Sequence, residues 1–206
     1  MKFYELSTLN IVNLGMGTAG SAIKDYVSAP GANGKLLGIW RSAIGRLNQI
    51  IVFREFDSRP DLAAERERAR RSSDPFGCSD LIVDLDMTSF VPFGRFPPVA
   101  TGDLGRFYGG RSYQLKPNGL SPVEERWSAV LDAATERSNT IMVMYAMDGS
   151  PRIVEICACR SLDERFAADD PWGGAGDVFS QKGSDRWFSP VATSVLLTPF
   201  AFSPLN

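Results

Sequence analysis

The chain carries two versions of one pattern, each about half of its length. Residues 3–6, Phe-Tyr-Glu-Leu, open the first version, and residues 107–110, Phe-Tyr-Gly-Gly, open the second. A serine later precedes a charged run in each version, Ser58 in the first and Ser161 in the second. Corresponding points lie roughly 105 residues apart, which is one domain length and too long for a solenoid repeat. The sequence therefore predicts two similar domains that can pack face to face.

The same order of strands and helices is predicted in both halves. Period-2 hydrophobic alternation and turn signals predict four strands in each half, near 3–12, 35–42, 48–56 and 81–90, then near 106–115, 141–147, 152–159 and 187–197. Helical spacing and caps predict helices near 17–28 and 60–72, then near 121–137 and after Ser161. Each half is βαββαβ, the ferredoxin-like plan of an α+β protein.

A Pro- and Gly-rich stretch marks the predicted boundary between the halves. Residues 94–105 are interpreted as a linker between a first domain, 1–93, and a second domain, 106–206. An antiparallel sheet with both helices on one face leaves its other face uncovered, and that face is somewhat apolar here. Two halves in one chain can cover each other, so we expect the two sheets to pack as an α/β barrel.

Composition excludes several classes of function. The net charge of -2 argues against nucleic-acid binding, and no apolar stretch is long enough to span a bilayer. With no histidine, Ser-His-Asp and Cys-His mechanisms are absent. Three cysteines without histidine do not suggest a zinc site, and no metal is expected. No cofactor is expected either. No secretory signal is recognisable at the start of the chain, and a cytoplasmic location is expected.

The residues around the first predicted hairpin resemble a known family. Residues 38–41 read Gly-Ile-Trp-Arg, and residues 44–51 continue as Ile-Gly-Arg-Leu-Asn-Gln-Ile-Ile. Together with residues 3–6 and 53–58, they resemble the NIPSNAP family of the dimeric α/β-barrel superfamily. The second half departs from this pattern: Tyr145 stands near the place of the tryptophan, and an Asp-Gly turn replaces the Ile-Gly-x-Leu-Asn turn. We interpret it as a diverged second copy.

The resemblance implies a fold and a range of functions. Superfamily relatives include cofactor-independent monooxygenases, isomerases and cyclases, and also haem-linked enzymes. The chain is expected to bind a small organic molecule in the barrel and to act as a cofactor-independent enzyme, or else to be a non-catalytic binding or scaffold protein. Haem would need a tyrosine or cysteine ligand here. The expected assembly is a monomer with an internal pseudo-dimer, or a homodimer.

Charged residues within apolar strands are the candidate catalytic groups. Glu155, in an apolar strand, would be a base if burial raised its pKa, or it could face water or pair with Arg111. Glu5 and Arg111, on the first strands of the two halves, could meet near the barrel interior, where an arginine suits an anionic or enolate-like substrate. The alternative is an ion pair that holds the halves together.

Aromatic and amide side chains are the candidate substrate-binding groups. An indole can line a pocket and an amide can bind a carbonyl, so Trp40 and Asn48 are candidates, with core packing and turn bonding as the alternatives. Tyr113 and Tyr145 offer phenols or simply pack. Trp172 lies in the Gly-rich stretch 170–186, which is either a lid over the barrel mouth or a poorly ordered connection.

The acidic pair Asp84 and Asp86 is a further candidate. The two residues share one face of the fourth predicted strand, and paired carboxylates can bind a metal ion or share a proton. No third ligand is near in sequence, so a solvated strand edge is the alternative.

Overall fold

Eight antiparallel strands close into one barrel in the computed structural model, which describes residues 1–93, 96–128, 139–168 and 186–206. The first half contributes β1 Phe3–Ile11, α1 Met16–Val27, β2 Lys35–Ile44, β3 Gln49–Phe56, α2 Arg59–Arg71 and β4 Ile82–Pro92. The second contributes β5 Phe107–Leu115, α3 at 120–128, β6 Thr140–Ala146, β7 Arg152–Cys159, α4 Leu162–Ala168 and β8 Phe188–Pro199. The predicted α+β fold of two ferredoxin-like repeats packed as a barrel is confirmed.

The barrel closes through strand pairs that join the two halves. The strands follow one another as β1-β3-β2-β8-β5-β7-β6-β4, so β2 pairs with β8 and β4 pairs with β6. The β2–β8 ladder includes Trp40 opposite Pro199, and the β4–β6 ladder includes Phe90 opposite Ala146. Neither half has a closed sheet alone. The outer strands are β2 and β4 in the first half and β8 and β6 in the second, and each finds its second partner only in the other half.

Residue alternation along the strands divides the core into an inner and an outer part. The inner cluster fills the barrel and includes Tyr4, Phe53 and Phe90, while an outer cluster under α1 includes Leu9 and Ile23. Successive side chains of a strand point to opposite faces, so both faces of these strands are buried. Helix α2 begins where the Ser58 hydroxyl accepts a bond from the Asp61 N–H, and it buries Leu62, Glu65 and Ala69 on one face.

One end of the barrel is plugged by the linker and the C-terminal residues. Val99 and Leu205 belong to the inner cluster, and Leu205 is fully buried. The Gly102 N–H donates to the Pro204 carbonyl at 2.9 Å, and the Leu205 N–H donates to the Leu37 carbonyl at 2.9 Å. The two segments therefore form one plug that is bonded to itself and to β2.

An arginine on α2 fastens the turn between β6 and β7 to β4. The Asp148 carboxylate accepts a bond from Arg66 at 2.5 Å and another from the Ser89 N–H at 2.9 Å. Arg66 also donates to the Met87 carbonyl at 2.7 Å. Burial opposes ionisation of Asp148, but the bonds from Ser89 and Arg66 hold the pKa of this carboxyl below its ordinary value. The Asp-Gly turn of the second half is thereby fixed on the first half.

Among the described residues, no helix is both long and apolar enough to cross a bilayer.

Removing the side chain of Leu205 is expected to destabilise the barrel. Leu205→Ala leaves a cavity in the plug and should lower the free energy of unfolding by about 2–5 kcal/mol. Leu104→Ala, at a linker position that is 37% exposed, should change it by no more than about 0.5 kcal/mol. Urea denaturation followed by circular dichroism measures both values, and equal stabilities for the two variants would contradict the role of the plug.

Candidate functional site

A cavity of about 190 Å³ lies inside the barrel, and residues from seven of the eight strands border it. Its inner wall is apolar and its outer end is polar. The polar residues that border it are Thr8, Asp86, Thr88, Arg111, Ser112, Arg152 and Thr193. Asp86 and Thr193 are exposed to solvent, whereas Trp40 and Phe90 are buried. The cavity therefore opens at the barrel end opposite the plug, and we call its polar end the mouth.

Three side chains form a hydrogen-bonded chain at the mouth. The Thr88 hydroxyl donates to Asp86 Oδ2 at 2.8 Å and accepts a bond from Arg152 Nη2 at 2.7 Å. The Arg152 guanidinium also lies 6.0 Å from the centre of the Phe90 ring. A carboxylate and a guanidinium thus stand side by side at the entrance, each held by the same threonine.

Trp40 borders the inner end of the cavity. Aromatic rings pack against its indole, and Gly38 leaves the room that the indole needs. Its ring centre lies 5.0 Å from that of Tyr108 and 6.0 Å from that of Phe53. A Cβ atom on Gly38 would lie 2.6 Å from Cη2 of the indole, closer than non-bonded atoms tolerate. The spacing Gly-x-Trp is therefore explained by strand geometry, since residues two apart share a face.

The indole N–H of Trp40 has no hydrogen-bond partner within the described part of the chain. The side chain is fully buried. Leaving such a donor unpaired costs about 1–3 kcal/mol, so it is a position where a bound acceptor would be favoured.

Arg111 and Glu155, two predicted catalytic residues, pair with each other on the outer face of the sheet. They are opposite neighbours on β5 and β7, and Arg111 Nη1 lies 3.4 Å from Glu155 Oε2. Glu155 also accepts a bond from the Thr140 hydroxyl at 3.1 Å. Arg111 borders the cavity, but its guanidinium is directed to Glu155, in agreement with the pairing considered from the sequence.

Glu5, the third predicted catalytic residue, does not meet Arg111. It is fully buried under α2, where its Oε1 lies 2.6 Å from Arg54 Nη2, and Arg54 also binds Glu65 at 2.6 Å. The expectation of an encounter inside the barrel was wrong in this respect, because Glu5 and the cavity residue Leu6 lie on opposite faces of β1. Arg68 closes the network by bonding Glu65 at 2.5 Å.

Of the predicted substrate-binding residues that the structure describes, Trp40 borders the cavity and the other three, Asn48, Tyr113 and Tyr145, do not. Asn48 has a left-handed backbone with φ of 57°, and its amide donates to Asn13 at 2.8 Å, so it forms the turn. Tyr113 packs edge-on to Phe188 at 6.0 Å in the outer cluster under α3. Trp172 and the predicted lid at 170–186 lie outside the described residues, apart from position 186.

Tyr145 lies on the outer face, 6.4 Å from the Phe93 ring, and is not the counterpart of Trp40. Trp40 is opposite Ile51 on β3, and in the second half Met144 is opposite Val154 on β7. Met144 is therefore the counterpart, and it fills the barrel core. A shift of one residue in a strand exchanges the two faces, which explains why the position expected from the sequence was wrong.

Thiols and phenols around the barrel are held in their neutral forms. Burial raises the pKa of the Cys157 thiol to about 11, with the Glu155 charge adding to the effect. Burial likewise raises the pKa of Tyr108 to about 12. Since the neutral forms dominate near pH 7, these groups are poor nucleophiles and poor bases there. Within the described ranges, no three Cys, Asp or Glu side chains come together as a metal site would require.

The sequence profile of the NIPSNAP family matches residues 4–80 and again residues 108–204. The chain belongs to the NIPSNAP family. The two matched segments correspond to the two halves of the barrel, so this NIPSNAP protein carries the family's domain twice. The comparison with curated proteins gives no match.

Solved structures share the fold of this NIPSNAP protein over nearly its whole length. An anthrone oxidase-like protein aligns over 100% of this chain and 94% of its own, with 9% identity and a TM-score of 0.68. A candidate monooxygenase from Lactobacillus acidophilus NCFM aligns over 96% and 93%, with 9% identity and a TM-score of 0.66. A NIPSNAP family protein from Agrobacterium tumefaciens aligns over 48% and 100%, with 21% identity and a TM-score of 0.38. At such identities, likeness to the first two establishes the fold alone.

The sequence did not identify Arg152 as a site residue. It indicated Asp86 only together with Asp84, as a pair that could bind a metal ion or share a proton. The polar even positions of β4 were a usable signal, because Asp86 and Thr88 alternate with apolar Leu85 and Met87. No sequence signal pointed to Arg152, because it is the first residue after a turn, where an arginine is usually solvated. Its place at the mouth depends on the pairing of β4 with β6, which no local pattern reveals.

Filling the space beside Trp40 is expected to disturb the indole. Gly38→Ala should lower the free energy of unfolding by about 1–3 kcal/mol and change the near-ultraviolet circular dichroism of the tryptophans. Gly17→Ala is the matched control, because a Cβ there would meet no atom within 4 Å. That replacement, in the first turn of α1, should stabilise the protein slightly. A neutral effect of Gly38→Ala with an unchanged spectrum would contradict the packing explanation.

The ion pairs of Glu5, Arg54, Glu65 and Arg68 under α2 are expected to make the stability of the protein depend on pH. Burial opposes ionisation of Glu65, but the bond from Arg68 and the charge of Arg54 hold its pKa below the ordinary value. The contribution of ionised Glu65 to the free energy of unfolding is therefore complete above the unfolded-state pKa of about 4.3. It is lost as pH falls through the folded-state pKa. The stability difference between the wild type and Glu65→Gln should be larger at pH 7 than at pH 3 in urea titrations. A difference independent of pH would contradict this.

Proposed function

We propose that this NIPSNAP protein binds a small organic metabolite in the barrel cavity. The observation that carries the proposal is the cavity itself, apolar within, polar at its mouth, and bordered by a buried indole whose N–H is unpaired in the described structure. Binding sites for small molecules are typically concave and apolar, with a few converging polar groups. The plug leaves the mouth as the entrance for a ligand.

The mouth also supports a cofactor-independent reaction on the bound molecule. Asp86 is an exposed carboxylate beside the Arg152 guanidinium, joined to it through Thr88. A carbonyl oxygen bonded to Arg152 would gain stabilisation as negative charge develops on it, while Asp86 accepts a proton from the neighbouring atom. Proton removal of this kind begins isomerisations, cyclisations and cofactor-free oxygenations, and fold relatives include proteins described as monooxygenase and oxidase-like.

Non-catalytic binding is the second candidate function. The observation that favours it is the placement of Glu5 and Glu155, whose carboxylates are engaged in ion pairs on the outer side of the sheet. Asp86 is the one acid that borders the cavity among the described residues. We further propose a cytoplasmic location. For the assembly we propose a monomer, whose internal pseudo-dimer already supplies both cross-half strand pairs, or a homodimer that would use other surfaces.

A blocked cavity is expected to abolish ligand binding. Gly110 borders the cavity, and its missing side chain would point toward Val195, so Gly110→Leu should fill the space. In a thermal-shift screen of small metabolites, hits should raise the melting temperature of the wild type by mass action but not that of Gly110→Leu. Gly17→Leu, at an open helix position, should behave as the wild type. Equal shifts for the blocked variant would contradict binding in the barrel.

The hits of that screen also separate catalysis from simple binding. Each hit is incubated with the wild type and with Asp86→Asn in air, and products are measured by mass spectrometry. Product formation by the wild type that falls at least about a hundredfold in Asp86→Asn supports the catalytic function. Tight binding without any product, in both proteins, supports the non-catalytic function.

A further inference from the structure

The size of the cavity restricts its ligand to a single ring. Pockets for drug-sized molecules usually begin near ~300 Å³, and an apolar cavity of ~150 Å³ is large enough for benzene. The cavity here measures about 190 Å³. It therefore holds one six-membered ring with small substituents, while a fused bicyclic compound would protrude through the mouth.

The charges at the mouth favour a neutral end group over an anion. Arg152 offers N–H donors, of which the Thr88 bond uses one, and Asp86 offers acceptor oxygens. A carboxylate ligand would gain a bond from Arg152 but would stand beside the negative charge of Asp86. An amide fits both neighbours, because its carbonyl accepts from Arg152 while its N–H donates to Asp86. The Asp86 charge therefore disfavours carboxylate ligands, and such repulsion is one source of the specificity of a site.

The inner end of the cavity favours an oxygen acceptor on the far side of the ring. Trp40 borders this end of the cavity, its buried indole N–H lacks a partner in the described structure, and the surrounding wall is apolar. A hydroxyl or carbonyl oxygen opposite the amide would accept this bond. A ring without that oxygen would leave the indole N–H unpaired and would bind less tightly.

We propose that the barrel takes a neutral single-ring carboxamide, or a group with the same adjacent donor and acceptor, whose opposite end carries an oxygen acceptor. This ligand class rests on the proposed function, because it identifies the occupant of the same cavity. It also places the ligand carbonyl against Arg152 and the ligand donor against Asp86, with the ring between Phe90 and Trp40.

Isothermal titration of three probes tests this ligand class. The probes are 4-hydroxybenzamide, benzamide and benzoate, and the last two differ in the end group that reaches the mouth. Benzamide should bind the wild type about tenfold more tightly than benzoate, because benzoate meets the Asp86 charge. Asp86→Asn should reduce this ratio to about threefold or less. Asp84→Asn should leave it unchanged, since Asp84 is exposed on the same strand and does not border the cavity.

The inner contact is tested with the same probes. 4-Hydroxybenzamide should bind the wild type about three- to tenfold more tightly than benzamide, and Trp40→Phe should remove that advantage while keeping an aromatic ring. Trp127→Phe is the control for a buried tryptophan outside the cavity, in the outer cluster under α3, and should preserve the advantage. Circular dichroism verifies that each variant is folded. If Trp40→Phe does not fold, Gly110→Leu must abolish binding of all three probes.

Different outcomes overturn the ligand class and the proposed function. Benzoate binding as tightly as benzamide overturns the neutral end group, and an advantage of 4-hydroxybenzamide that survives Trp40→Phe overturns the inner contact. If no single-ring probe binds but a larger compound from the thermal-shift screen binds the wild type and not Gly110→Leu, the ligand class fails and the cavity function stands. If nothing in either experiment distinguishes Gly110→Leu from the wild type, the cavity function itself fails.

Discussion

The strand pairs β2–β8 and β4–β6 are the constraint on which the rest of the molecule depends. Each half buries one face of its sheet under its own helices, and the other face is buried only when the opposite half completes the barrel. The same pairs bring Arg152 of the second half next to Thr88 of the first. The site therefore forms only as the barrel folds, because its mouth requires the strand pairs β2–β8 and β4–β6.

The two halves contribute unequally to the completed barrel. The first half provides Trp40 and Phe53, whereas the corresponding places in the second half are filled by Met144 and Ile156. The second half provides Arg152, and its Gly110 leaves the room that the ligand would use. A homodimer of identical domains would have two equal sets of such groups. The fused chain instead places the Trp40 indole and the Arg152 guanidinium at opposite ends of the barrel cavity.

The fold could be predicted from the sequence because its determinants are local and repeated twice. Alternation, caps and turns placed the strands and the described helix bounds within a few residues, and the uncovered sheet face required a barrel. The predicted end of the helix 121–137 lies outside the described residues. The site was less accessible, since the side a residue faces depends on register. Glu5 was expected inside and lies under α2, and Tyr145 was expected beside the cavity and lies outside. Trp40 was a candidate because it lies in the family-like hairpin and an indole can line a pocket, and the structure places it at the cavity.

The plug at the closed end has a consequence for synthesis in the cell. Residues 203–206 and β8 leave the ribosome well after β2, yet they bond to it. During translation, the emerging first half presents two unpaired strand edges and an uncovered apolar sheet face. Exposed edges of this kind invite pairing with other chains. The first half therefore stays open to such pairing until β6 and β8 of the second half cover its two edges.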